Sequence, residues 1–447
     1  MVRSTHAAQD RRTFDLRWKA ACGFAVDAAG FHPSTLTYWR RRLAASDRPH
    51  RVFDAVRDVI AQTDVLGGKT RRALDSTILD DAVARQDTVT QLIAQIRRDG
   101  REIPAVGRVV AMLPGHDYTR PGKPDIAWDD QAARDDLVSR LVTDATTLLA
   151  ALEGVELDER QQDAVALLAL VAGQDVEPAD GSDGTDGRWR IARQVAADRV
   201  ISTVDPDTRH AHKSRQKRQD GFIGHLIAEP DTGLVTAAVV SKASGPDNSD
   251  AARGIELLAS DTSIGDTSIH VLGDSAYGSG PMLAALAQAG HIALVKPMPL
   301  RAAVPGGFTI DDFTIDEDAR TATCPAGHTR PVTTKRHVTF GAICRSCPLA
   351  ARCTTSVRGR KLDLTAHDRL LREHRARAAT TQFQEPYRQH RPMVERTIAW
   401  MTRGARRVPY RGVSKNNAWW TTRAAAINLK RLLTLGLSIE DGTWALT

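Results

Sequence analysis

The hydrophobic periodicity of the chain changes near its middle, and this change constrains the fold strongly. From Asp80 to about Leu170 the apolar residues recur at helical spacing. An acidic, glycine-rich stretch follows at 173–188, and beyond it the apolar runs have the length of strands: GFIGHLIAEP, TGLVTAAVVSKA, IHVLGD and HIALVKP. The first two are joined by the turn residues Asp231-Thr232-Gly233, and helices separate the later ones. A strand hairpin followed by alternating helices and strands predicts an α/β fold with a mixed sheet.

Length and composition exclude some classes of protein. With 447 residues, 42% of them hydrophobic, the chain can form a buried core and more than one domain. The longest apolar run, Ala164 to Ala172, is much shorter than the roughly 20 residues of a membrane-spanning helix. The first ten residues contain no apolar segment of a secretory signal. We therefore expect a cytoplasmic protein with no membrane partner.

Positive charge is concentrated near the C-terminus. Between Ala351 and Lys430 there are 18 Lys and Arg but five Asp and Glu, a local charge of +13. The whole chain carries +7, so the remainder carries −6. Clustered Lys and Arg displace counterions from phosphates, and this distribution favours a nucleic-acid partner. A solvated, arginine-rich helical surface is the alternative.

Three carboxylates occur where an oxygen-ligated metal site could form. Asp75 lies in the apolar run RRALDSTIL, and Asp274 ends the strand-like run IHVLGD, an edge where α/β sheets usually bind ligands. Glu395 lies in a helical segment four residues after Arg391. Acids from distant segments can hold the Mg²⁺ ions used in phosphoryl transfer. Helix capping by the aspartates and an ion pair between Glu395 and Arg391 are the alternatives.

Four of the five cysteines fall within thirty residues. Cys324, Cys344, Cys347 and Cys353 have spacings typical of a closed, structural zinc site, and His328 could replace one of them. In a chain without an export signal, such clustering favours metal over disulfides. Four reduced, unliganded thiols are the alternative.

The acidic segments RRALDST, VLGDSAYG and YRQHRPMVERTIAW, in this order, resemble those of DDE transposases from bacterial insertion sequences. The likeness is to the large group with a Tyr, Arg and Glu signature near the C-terminus and a Cys-rich insert. The segments DPDTRHAHKSRQKRQDGFIGHLIAEPDTG and YRGVSKNNAWW are also similar, and the resemblance runs from about Phe14 onward. Tyr387 and Arg403 each lie one place off the commonest signature spacing.

The resemblance implies an RNase H-like core in which Asp75, Asp274 and Glu395 are catalytic and bind Mg²⁺ or Mn²⁺. Asp205 and Asp207, in STVDPDTRH, are alternatives for the first acid. It also implies a domain order that we predict as follows: a helical, N-terminally truncated DNA-binding region at 1–68, the first core strand at 69–79, a helical insertion at 80–200, the core at 201–307, a zinc-binding insertion at 308–364, and basic helices with the catalytic Glu at 365–447.

The function implied by the resemblance is DNA transposition: binding of double-stranded DNA at the terminal inverted repeats, metal-dependent cleavage and strand transfer into target DNA. A homodimer and association with the bacterial nucleoid are expected with it. An inactive or truncated zinc-bearing DNA-binding derivative and a hydrolytic nuclease of the same fold are the alternatives. The residues expected to contact DNA are Arg40, Arg41, Lys213, Arg215, Lys217, Arg391, Arg403, Arg406 and Arg407.

Overall fold

The structure is a computed structural model that describes residues 16–32, 34–120, 122–212 and 218–447. The α-helices of this part of the chain are α1 (Leu16–Ala21), α2 (Ser34–Ala44), α3 (Arg51–Gln62), α4 (Thr88–Glu102), α5 (Gly107–Met112), α6 (Gln131–Ala151), α7 (Glu159–Gln174), α8 (Asp250–Ser260), α9 (Gly280–Gln288), α10 (Ala350–Cys353), α11 (Asp368–Ala378), α12 (Thr381–Thr402) and α13 (Val413–Thr434). Its strands are β1 (Arg71–Asp80), β2 (Val176–Pro178), β3 (Trp189–Ile191), β4 (Arg209–His212), β5 (Arg218–Ala228), β6 (Val235–Lys242), β7 (His270–Gly273), β8 (Ile292–Val295), β9 (Thr314–Asp316), β10 (Thr321–Thr323), β11 (Thr329–Pro331), β12 (His337–Thr339), β13 (Lys361–Asp363), β14 (Leu437–Glu440) and β15 (Thr443–Leu446).

Strand β1 lies in the middle of a mixed, six-stranded sheet. It pairs antiparallel with β5 on one side and parallel with β7 on the other, and β8 extends the parallel half. The outer edge of β5 pairs with β4 and then with β6. The predicted α/β class with a mixed sheet is confirmed, and the sheet is consistent with an RNase H-like transposase core.

Both faces of this sheet are covered by helices, because its strands carry apolar side chains on both sides. On one face α12 and α13 contribute Val394 and the fully buried Trp420 to a core with Leu79 and Leu226. On the other face α8 and α9 pack on a second core that includes Leu74. Alternate residues of β1 therefore point to different helices, and Asp75 faces the α12 side, opposite Leu74.

The helices α4 to α7 form a separate apolar core of their own between β1 and β4. Leu92, Ile96, Leu141 and Leu168 are among its buried residues. Asp87 caps α4 and Asp158 caps α7 through a capping box, which explains why helix starts at these positions. The continuous helical pattern seen in the sequence is thus broken into four helices.

The cysteine-rich segment forms a small unit of short strands. Strands β9 to β11 make one sheet, β12 pairs with β13, and Phe313 and Phe340 are buried between them. The basic helices predicted at 365–447 are α11, α12 and α13, and a break near Thr380 separates α11 from α12. Within the described residues, no helix has the length and apolarity needed to cross a membrane.

Candidate active site

Asp75 and Asp274 lie at matching positions on neighbouring parallel strands. The last residue pair between β1 and β7 joins Ala73 to Leu272, and each aspartate lies two residues beyond its member of that pair. Adjacent strands are about 4.8 Å apart, so the register brings the two acids next to each other. Strand β7 ends at Gly273 while β1 continues to Asp80, which opens the sheet beside Asp75.

Asp75 is mostly buried, with 13% of its side chain exposed. Its Oδ1 accepts a hydrogen bond from the amide of Ser76 at 2.9 Å and pairs with Nη2 of Arg391 at 3.2 Å. Burial raises the pKa of Asp75; Arg391 and the Ser76 amide oppose that rise, and nearby Asp274 adds to it. A buried carboxylate whose pKa is raised by a neighbouring acid is typical of a functional site that binds a cation.

Asp274 has a structural contact that uses one of its two oxygens. Its Oδ1 accepts a hydrogen bond from the amide of Ala276 at 2.9 Å and caps the short helical turn 275–277. Its Oδ2 accepts no hydrogen bond from the described residues. A β-carbon at Gly278 would lie 2.9 Å from the carbonyl oxygen of Lys296, so the loop depends on small residues. The capping alternative is therefore observed, and it leaves one carboxylate oxygen for a ligand.

Helix α12 brings Glu395 to the same side of the sheet. Tyr387, Arg391 and Glu395 follow at intervals of four residues and share one face of α12. Glu395 is exposed over 65% of its side chain, and its Oε1 lies 4.0 Å from Nε of Arg391. Arg391 thus contacts the first and third acids, and Asp274 is one of the charges that raise its pKa against the effect of burial. The three predicted acids surround one guanidinium.

Arg391, which was predicted to contact DNA phosphates, lies inside the fold and has protein partners. The residue is only 6% exposed, and its Nη1 donates a hydrogen bond to the carbonyl of Leu74 at 2.7 Å. A guanidinium buried in this way must be paired, and its partners here are β1 and Asp75. Arg391 therefore fastens α12 to β1 and holds Asp75 in place.

Arg391→Gln is expected to move the acid limb of any metal-dependent activity to higher pH. The cation lowers the pKa of Asp75, so its loss lets that pKa rise, and the metal-binding carboxylate form then disappears at a higher pH. The measurement is the pH profile of Mn²⁺-dependent DNA cleavage. Arg388→Gln, an exposed change on the same helix, is the matched control. If the pH profiles of DNA cleavage by wild type, Arg391→Gln and Arg391→Lys coincide, Arg391 does not control the pKa of Asp75.

The hydroxyl of Tyr277 is a polar group that sequence reasoning missed. Tyr277 is 1% exposed, and its Oη has no hydrogen-bond partner among the described residues. Burial raises the pKa of this hydroxyl, and Asp250, Asp75 and Asp274 raise it further. Buried hydroxyls normally have a hydrogen-bond partner, so this one is an exception among the described residues. The signal in the sequence was a tyrosine three residues after the strand-end aspartate.

The alternative first acids lie elsewhere. Asp205 is 1% exposed, and both of its carboxylate oxygens accept the amide of Gly412 at 3.1 Å. Asp207 accepts the amide of Val413 at 2.9 Å and pairs with Lys242 at 3.2 Å. Both carboxylates therefore bind the start of α13, where orphan amides and the helix dipole favour negative charge. In this structure these two carboxylates bind the N-terminus of α13. They are not part of the acid cluster, by which we mean Asp75, Asp274 and Glu395.

The four clustered cysteines line one small cavity of about 20 Å³, together with His328. The amide of Arg360 donates to Sγ of Cys344 at 3.4 Å. Burial raises the pKa of Cys353, Arg360 opposes the rise, and the other three thiols add to it. The donor set fits a structural zinc ion in type and number. However, no three His, Cys, Asp or Glu side chains of the described residues, here or at the acid cluster, are grouped closely enough to hold a metal.

The other residues expected to contact DNA fall into two groups. Arg40 and Arg41 on α2, and Arg403, Arg406 and Arg407 after α12, are exposed, as phosphate contacts require. Arg407 also donates from Nε to the carbonyl of Asp81 at 2.8 Å. Lys213, Arg215 and Lys217 lie outside the described residues.

Comparison with known proteins identifies one segment. Residues 323–433 match a family model described as a transposase DDE domain. This segment contains the clustered cysteines and Glu395 but neither Asp75 nor Asp274. No curated protein and no solved structure matches the chain. The family match confirms the resemblance to DDE-type transposases.

Proposed function

We propose that this DDE-type transposase binds the ends of a bacterial insertion sequence and cleaves and joins DNA with Asp75, Asp274 and Glu395. The observation that carries the proposal is their convergence: two acids in register on β1 and β7, and a third on α12 beside the same arginine. The reaction class is that of the matched family, whose members are in general metal-dependent DNA-cleaving enzymes.

The three carboxylates supply the oxygen ligands that Mg²⁺ or Mn²⁺ prefers. Such ions, when bound, activate a water or a 3′-hydroxyl for attack on a phosphodiester and stabilise the leaving oxygen. The chain itself would hold Asp75 through Arg391 and Ser76, orient Asp274 through its turn, and offer Glu395 from the solvent side. A hydrogen-bonded acid pair and one exposed acid fit a site that must admit DNA.

The exposed basic residues would bind the phosphates of the DNA backbone and so position the DNA at this site. Arg403, Arg406 and Arg407 follow the helix that holds Glu395, and Arg40 and Arg41 lie on α2. Phosphate contacts of this kind give affinity and position without reading sequence. Binding of two element ends by a homodimer, in the cytoplasm at the nucleoid, completes the proposal.

The test uses a plasmid that carries the element's terminal repeats and a second, target plasmid, each incubated with the protein and Mg²⁺. Covalently joined products support transposition. Cleaved but never joined DNA supports the hydrolytic nuclease. Binding without cleavage supports the inactive DNA-binding derivative, which is favoured by one observation, the lack of a closely grouped metal-binding set among the described residues.

We also propose that Cys324, Cys344, Cys347 and Cys353 bind a structural zinc ion. The segment's own core is small, so a metal would supply stability that its short strands cannot. The purified protein is expected to contain about one zinc per chain. Cys347→Ser should lower that content and make the segment sensitive to protease, whereas Cys22→Ser, at an exposed and distant cysteine, should not. A metal-free protein that keeps this segment protease-resistant contradicts the zinc proposal.

A further inference from the structure

A large cleft lies in the helical insertion, outside the acid cluster. It is formed by α4, α5, residues 113–119 and 124–126, and α6, and its volume is about 780 Å³. Val110, Leu113 and Leu137 give it an apolar floor. Pockets of 300–1,000 Å³ are of a size that takes nucleotide-sized ligands. We call it the arginine cleft, for the reason that follows.

Two arginines of α4 line the arginine cleft without partners. Arg97 and Arg101 are four residues apart on one helix face, and neither forms a hydrogen bond or ion pair with the described residues. Like charges at this spacing repel each other and destabilise a helix. Their neighbour Arg98 is different, because it pairs with Glu102 at 3.3 Å. Two uncompensated cations on the cleft side indicate an anionic ligand.

A histidine offers a third polar group. The Nε2 atom of His116 is buried and has no hydrogen-bond partner in the described part of the chain. Burial lowers the pKa of His116, and nearby Arg97 lowers it further while Asp117 opposes both. The ring is therefore neutral at pH 7, and a neutral imidazole can donate one N–H to a phosphate oxygen.

The loop that carries His116 is held rigidly. The hydroxyl of Tyr118 donates to Oδ2 of Asp144 at 2.6 Å, and the amide of Gly115 donates to the same oxygen at 2.9 Å. A β-carbon at Gly115 would lie 2.4 Å from that oxygen, so only glycine allows this approach. The His116 ring lies edge-on to Tyr118, with centroids 5.4 Å apart. Such pre-ordering lowers the entropy cost of binding.

The acids of the arginine cleft do not cancel its charge. Asp117 accepts the amide and hydroxyl of Thr119 and pairs with Arg120 at 3.7 Å, so its charge is already engaged. Asp125 is exposed at the rim. Among the described residues that line the cleft, the arginines without an ion pair are therefore Arg97, which is half-buried, and Arg101, which is exposed.

We infer that the arginine cleft binds a phosphate-bearing nucleotide unit of the DNA on which the transposase acts, through Arg97, Arg101 and His116. The inference rests on the proposed function. It assigns the helical insertion a direct role in holding DNA, in a region far along the chain from the basic C-terminal helices. The same phosphate chemistry could recognise a free nucleotide, and the experiment separates the two sources.

The experiment compares the full-length protein with the double variant Arg97→Gln/Arg101→Gln. Affinity for a fluorescently labelled 40-base-pair duplex of mixed sequence is measured from 50 to 300 mM salt, and affinity for dAMP is measured separately. We expect at least about a fivefold loss of DNA affinity at low salt and a salt slope smaller by roughly 1 to 2, since each lost phosphate contact contributes about 0.9. Arg98→Gln, the adjacent paired arginine, is expected to bind DNA like the wild type. Circular dichroism confirms that each variant is folded.

Unchanged DNA affinity and slope in the folded double variant overturn the inference while leaving the proposed function intact. Tight dAMP binding that the double variant loses, with DNA binding unchanged, overturns the DNA assignment in favour of a free nucleotide. A wild-type protein that binds no DNA at any salt concentration counts against the proposed function itself.

Discussion

Asp274→Asn is expected to abolish metal-dependent DNA cleavage while leaving DNA affinity unchanged. Asparagine has the same shape, and its Oδ1 can still accept the amide of Ala276, so the cap of the turn 275–277 is kept. The negative charge that a divalent ion requires is lost. We expect a fall of about 10³-fold or more in cleavage rate, on the order of losses at groups that stabilise a transition state directly. The measurement is nicking of supercoiled plasmid in Mn²⁺.

A control variant and a melting measurement distinguish the structural role of Asp274 from its role in cleavage. Asp266→Asn removes an exposed acid five residues after the buried Asp261 and is expected to cleave like the wild type. Equal thermal melting of the two variants shows that the fold is unchanged. Cleavage by Asp274→Asn within a few-fold of wild type means that Asp274 only caps its turn, and the catalytic assignment fails with it.

Asp261→Ala is expected to cause the largest loss of stability in the core. Its carboxylate pairs with Nε of Arg72 at 3.0 Å, and both side chains are essentially fully buried. It also accepts hydrogen bonds from Thr236 on β6 and from Ser263. Removing it leaves a buried guanidinium without a counter-charge, which costs about 3–5 kcal/mol. Hydrogen exchange of the β1 amides measures this loss in the core itself.

A second variant tests the cause of that loss. Arg72→Met/Asp261→Leu removes both charges together, and apolar replacement of a complete buried pair is often neutral or stabilising. The double variant is therefore expected to exchange more slowly at β1 than Asp261→Ala alone. If the β1 amides of Asp261→Ala exchange at wild-type rates, the Arg72–Asp261 pair does not stabilise the contact between β1 and the loop after α8.

Local sequence patterns predicted much of the core. The hairpin of β5 and β6 was expected from two apolar runs around Asp231-Thr232-Gly233, and Gly233 has the positive φ of 72° that such a turn requires. Helices were expected between the later strands, and α8 (Asp250–Ser260) lies between β6 and β7. These features depend on residues that are close together in the sequence. The spacing of apolar and turn residues was therefore sufficient to predict them.

Long-range pairing could not be read from the sequence. The spacing of Arg391 and Glu395 predicted a shared helix face but not that Arg391 lies inward against Leu74 and Asp75, more than three hundred residues away. Asp205 was an alternative for the first acid, but its carboxylate accepts a hydrogen bond from the amide of Gly412. In both cases the hydrogen-bond or ion-pair partner comes from an element that is distant in the sequence. The role of each side chain therefore depends on where it is buried and not on its residue type alone.

The central claim is that Asp75, Asp274 and Glu395 form one metal-binding centre. Its most direct test is a crystal structure grown with Mn²⁺ and measured for anomalous scattering. We expect an anomalous peak bounded by the carboxylates of Asp75 and Asp274, with Glu395 turned inward toward it, and no peak in crystals of Asp274→Asn. A peak at Asp205 and Asp207 instead, or no peak at the acid cluster at saturating Mn²⁺, contradicts it.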